Sequence, residues 1–111
     1  MTSDLGGLGE LRDALQAICA SDMPSLADVR RIVDLRHRSA RPDDPAFFAF
    51  RAAASELDTV PENAVRHRFH EAMLAREDRK CETYMCAASD ELRRNAVALL
   101  SCDWLGASSG R

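Results

Sequence analysis

The sequence predicts an all-α protein, a compact up-and-down bundle of four to five short amphipathic helices with no sheet. Three observations carry that expectation. Apolar residues recur at spacings of three and four along most of the chain, the period that gathers them on one side of a helix. Helix-start signals stand before the runs at Ser25-Leu26-Ala27-Asp28, Asp44-Pro45, Thr59-Val60-Pro61-Glu62 and Ser89-Asp90-Glu91. Each puts acceptors beside backbone N–H groups that a new helix leaves unpaired, and negative charge at the positive end of its dipole. No segment alternates with a two-residue period, so no strand is expected.

Residues 1–7 read as a flexible tail. Helix 1 is expected over 8–20, with Leu8, Leu11, Leu15 and Ile18 as its stripe and Glu10, Arg12, Asp13 and Gln16 away from it. Pro24 disfavours helical geometry in Met23, which helps to stop it. Helix 2 starts at the Ser25 cap, buries Leu26, Val29, Ile32 and Val33, with Ala40 on the same side, and ends near Ser39. Pro45 restarts the chain at a first helical position. Helix 3, over 45–57, carries Phe47, Phe50, Ala54 and Leu57, with Phe48 widening the stripe. Aromatics are scarce and cluster between Phe47 and Phe69, which marks the expected centre of the core.

Helix 4 is expected to start near Pro61, with Val65, Phe69, Ala72 and Met73 on one face and His67, His70, Leu74, Cys81 and Met85 on another. Two semi-apolar faces imply a helix sandwiched between neighbours or interrupted. The polar run Arg76-Glu77-Asp78-Arg79-Lys80 is the place for a kink or a solvent-exposed crossing. Helix 5 starts at Ser89 or Asp90 and presents Leu92, Ala96, Leu99, Leu100 and Trp104. Gly106 is the expected C-cap and 106–111 a second flexible tail. Short connections imply antiparallel neighbours.

A chain of 111 residues makes a single helical domain, 1–111. Its apolar fraction of 46% and charged fraction of 30% suit a folded globule rather than a disordered chain. Lys80 is the only lysine, so nearly all positive charge is arginine. That bias, with abundant alanine, points to a GC-rich bacterial genome and weakens arginine content as a sign of nucleic-acid binding. The net charge of −3 opposes average attraction to nucleic acid or to anionic membranes. The acidic start Met1-Thr2-Ser3-Asp4 lacks the basic region of a signal peptide, and no apolar run is long enough for a membrane span. The expected location is the cytoplasm. Cys19, Cys81, Cys86 and Cys102 fall in helical pattern and read as reduced, mostly buried thiols acting as small apolar residues.

The strongest local charge signal is Arg30-Arg31…Arg36-His37-Arg38…Arg41. Arg30, Arg31, Arg38 and Arg41 are the candidate partner-binding residues, because arginine offers a planar fork of donors to acids and phosphates. Asp34 lies one turn from both Arg30 and Arg38, and Asp28 one turn from Arg31, so intrahelical pairing accounts for part of this charge. Arg36 falls inside the apolar stripe near Val29, Ile32 and Val33, where it must snorkel or find an acid on a neighbour. The segment Ser25–Arg36 resembles the helix that follows the DNA-reading half of MerR-type regulators. The winged helix-turn-helix that precedes that helix in the family, and the long dimerising helix that follows it, have no counterpart in the pattern, so DNA recognition is not carried over.

His67 and His70 stand one turn apart, a spacing that metal sites use. On a continuous helix, however, Cys81 and Cys86 point about 140° apart and cannot easily share an ion. No metal, cofactor or catalytic residue is assigned. No nucleophile elbow, P-loop, HExxH or Gly-rich phosphate loop is present. Five amphipathic helices and the methionines Met23, Met73 and Met85 suit a surface that binds another helix or a second copy. The expected function is a non-enzymatic protein–protein interaction module, an adaptor, chaperone-like or regulatory protein. The alternative is a nucleic-acid-binding helical protein using the arginine face of helix 2.

Overall fold

A computed structural model describes residues 8–61 and 63–102. The expected tails, Trp104 and the Gly106 cap lie outside them. The described residues form helices and turns with no strand, in the order α1 (Leu8–Ala20), α2 (Leu26–Leu35), α3 (Phe48–Glu56) and α4 (Glu71–Leu100). Short 3-10 turns stand at Arg36–Arg38, Pro45–Phe47 and Asn63–Arg68. The helices close a ring in which α1 packs on α2 and α4, and α3 packs on the same two. This is the all-α bundle that the apolar periodicity requires.

The first three helices follow the sequence pattern closely. Leu11, Leu15 and Ile18 of α1, Val29 and Ile32 of α2, and Phe47, Phe50 and Leu57 around α3 are fully buried and form one core. Ser25 caps α2, its side chain accepting from the Asp28 N–H at 3.1 Å. Asp44 caps the Pro45 turn by accepting from the Ala46 N–H at 2.9 Å. Two apolar positions differ from expectation. Phe48 is 69% exposed, because the 3-10 turn at Pro45–Phe47 rotates the start of α3 and gives Phe47 the core position. Ala40 is exposed, because α2 tightens into a 3-10 turn at Arg36 before reaching it.

The largest departure is in the last third of the chain. Helices 4 and 5 are one uninterrupted helix, α4, of 30 residues, about 45 Å long at 1.5 Å per residue. It begins at Glu71, ten residues after Pro61, since 63–68 coil into a 3-10 turn. Its N-cap is His70, whose Nδ1 accepts from the Ala72 N–H at 3.1 Å. The Thr59 hydroxyl donates to Glu77 at 2.7 Å and accepts from Lys80 at 3.3 Å, while Glu62, the expected partner of its cap, lies outside the described residues. Ser89 and Asp90 lie mid-helix. The Ser89 hydroxyl donates back to the Cys86 carbonyl, and Asp90 pairs with Arg93, the two usual outlets for such side chains inside a helix. The helix runs unbroken through 76–80, which are exposed except for the half-buried Glu77. Val65 and Met73 are half-buried and Phe69 and Ala72 are exposed, so the expected stripe on that segment is no core face.

Candidate functional site

The first half of α4 stands beside the start of α2 without the tight packing that α1 and α3 give it, and a groove opens between them. It consists of contiguous recesses of about 630, 400 and 390 Å³. The largest is lined by Leu26, Arg30 and Arg31 of α2, Val60 and Pro61 of the turn after α3, and Arg66, Asp78 and Cys81 across from them. One end runs to Met23, Pro24 and Met85, and the other to Val33, Asp58 and Phe69. The floor is apolar and the rim carries both signs of charge.

α2 places its arginines here because its buried face is Val29, Ile32 and Leu35, which turns Arg30 and Arg31 to the rim. Arg30 is committed inward. Its Nη2 donates to the carbonyls of Leu57 at 2.9 Å and Val60 at 2.7 Å, in the turn that follows α3. Arg31 is exposed and sits 3.8 Å from Glu10 of α1, rather than pairing with Asp28. Asp34 joins Arg30 in lining the groove, and its expected pairs with Arg30 and Arg38 do not form among the described residues. Arg38 and Arg41 are exposed but lie beyond the end of α2, outside the groove. The structure therefore brings together two of the four arginines singled out by sequence. Arg36 is buried, as its place in the stripe implied: Nη1 donates to the Pro42 carbonyl at 2.5 Å and lies 3.6 Å from Asp43, while Nε has no partner.

The opposite wall is held by a residue that no pattern along the chain singles out. Arg66 grips Asp78 through two hydrogen bonds of 3.0 and 2.7 Å. That hydrogen bonding holds the Asp78 carboxyl below, and the Arg66 guanidinium above, their ordinary values. The pair joins a 3-10 turn to a helix across a chain reversal, so no helical spacing announces it. Burial pushes the Cys81 thiol up, against the pull of the Arg30 charge. It stays protonated at neutral pH and is no activated nucleophile.

The histidines take separate places: His67 is exposed within the Asn63–Arg68 turn, and His70 caps α4. They do not share a helix face. Among the described residues no three His, Cys, Asp or Glu side chains gather into a group able to hold a metal ion. Among the described residues no disulfide joins the four cysteines, and they are less buried than expected. Cys19, Cys81 and Cys102 are half-buried and Cys86 is exposed. No helix of the described residues is long and apolar enough to cross a membrane. Compared with protein-family models, curated proteins and solved structures, the chain matches none of them.

Proposed function

We propose that this chain is a non-enzymatic protein–protein interaction module, an adaptor, chaperone-like or regulatory protein of a bacterial cytoplasm, and that its partner enters the groove between α2 and the first half of α4. The groove itself carries the reading. An apolar floor of Leu26, Val60 and Pro61 under a rim of Arg31, Asp34 and Asp78 suits an amphipathic helix, whose apolar side would cover the floor while its charged edges meet the rim. The ionisable groups support binding over catalysis. Arg66 and Asp78 neutralise each other, Arg30 is spent on carbonyls, and the Cys81 thiol is held protonated.

Affinity capture with the wild-type chain and two charge reversals tests the proposal. Arg31→Glu, on the rim, is expected to lose the captured protein, whereas Arg38→Glu, outside the groove, retains it. Equal capture by all three chains would remove the groove from consideration. Retention on a heparin column that collapses steeply with salt, and is lost in both variants, would favour the nucleic-acid alternative.

A further inference from the structure

The outer face of the second half of α4 lies away from the groove and from the core. Thr83, Ala87, Asp90, Arg94, Val97 and Ser101 recur there at spacings of four, three, four, three and four. At 100° per residue they stay within a sector of about 80°, opposite the buried Met85, Leu92, Ala96 and Leu99. All six are exposed, including Val97 at 54%. The spacing is that of a coiled-coil seam, but its layers are mostly polar, with Thr83, Asp90, Arg94 and Ser101 beside Ala87 and Val97, so charge matching rather than apolar burial must choose the partner.

The seam is complementary to itself in one orientation. Two parallel copies would set Asp90 on Asp90 and Arg94 on Arg94. Two antiparallel copies, related by a two-fold axis at the level of Leu92, place Asp90 of each beside Arg94 of the other. The same operation puts Ala87 in a layer with Val97, and Thr83 with Ser101. Both charges are available. The Asp90 side chain is 81% exposed beyond its contact with Arg93, and Arg94 forms no ion pair among the described residues. Asp90, Arg94, Val97 and Ala98 also border a shallow recess of about 540 Å³ that would receive the other copy's Ala87. We infer that the outer face of α4 docks a second copy of this chain, antiparallel and two-fold symmetric, with reciprocal Asp90–Arg94 pairs at its centre.

Sedimentation velocity over a wide concentration range tests this. The wild-type chain is expected to pass from monomer to a species of doubled mass. Arg94→Asp and Asp90→Arg should each stay monomeric with an unchanged circular dichroism spectrum. An equal mixture of the two should recover the doubled mass, because each then supplies the charges the other lacks. The register is read by disulfide formation in Ala87→Cys/Val97→Cys on a Cys86→Ser background. The introduced thiols lie about 15 Å apart along one helix, too far to bond within a chain. A covalent dimer of this variant, with none from Ala87→Cys or Val97→Cys alone on the same background, therefore reports the antiparallel layer, whereas a parallel pair would cross-link each single variant. A wild-type chain that remains monomeric throughout, association indifferent to Arg94→Asp, or no cross-linked dimer would overturn the inference.

Discussion

The two halves of α4 belong to one helix and are held by different forces. Residues 85–100 place Met85, Leu92, Ala96 and Leu99 in the core, between α1 and α3. Residues 71–80 bury none of their side chains and are tied to the chain before them by Thr59, which meets Glu77 and Lys80, and by Arg66 on Asp78. Apolar burial contributes in proportion to area. Exposed polar ties are screened by water and contribute little. One half of α4 is thus a wall of the bundle, and the other is an extension that the bundle carries. The extension is also the half that borders the groove.

Core truncation and helix breaking should separate the halves most sharply. Leu92→Ala should destabilise the protein by about 2–5 kcal/mol, read from the denaturant midpoint, while Leu74→Ala should cost a small fraction of that. A proline pair tests continuity. Ala87→Pro, in the helix interior between two core layers, should cost about 3 kcal/mol or more and unfold much of the protein. Ala75→Pro should shorten α4 from its start, lowering helical circular dichroism slightly and leaving the melting temperature near wild type. Equal losses of melting temperature in the two proline variants would mean that the extension is part of the bundle after all.

The polar contacts rank below these. Arg30→Met keeps a stem on α2 but strips the charge-assisted donors from the Leu57 and Val60 carbonyls, an expected loss of about 1.5–3 kcal/mol. The Arg66–Asp78 tie should have the smallest effect on global stability and the clearest pH signature. The Asp78 carboxyl is held below its ordinary value in the folded chain. Its contribution is therefore fully present above the unfolded-state value, about 3.9, and is lost as pH falls through the lower folded value. Amide protection factors at 63–80, each referred to the intrinsic exchange rate at that pH, should fall in that acid range in the wild type, while in Asp78→Asn they are already lower at neutral pH.

The sequence announced the bundle where local and global preferences agree. Ser25 and Asp44 cap helices because an apolar stripe follows each at helical spacing and a proline breaks the chain before it. Ser89-Asp90-Glu91 carries the same cap chemistry, but the stripe Met85, Leu92, Ala96 and Leu99 runs through it, and packing of that stripe overrides the local signal. The true start of α4 went unread because His70 uses a ring nitrogen for a role usually filled by hydroxyls and carboxylates. Half of the groove was legible, as arginines on the polar side of α2. The other half was not, because Arg66 and Asp78 meet only once the chain has reversed direction.

Two arginines give the short helices a common fate. Arg30 of α2 holds the turn after α3 through the Leu57 and Val60 carbonyls, and Arg93 of α4 holds the turn after α1 by donating to Ser21 at 2.9 Å and Asp22 at 3.0 Å. Helices as short as α1, α2 and α3 are marginal in water on their own. Here the turns that follow two of them are held by side chains from distant parts of the chain. Secondary structure and assembly are consequently one cooperative event. Peptides cut from residues 8–22 or 45–61 should be largely unstructured, and the intact chain should lose helical content and core packing in a single coincident transition.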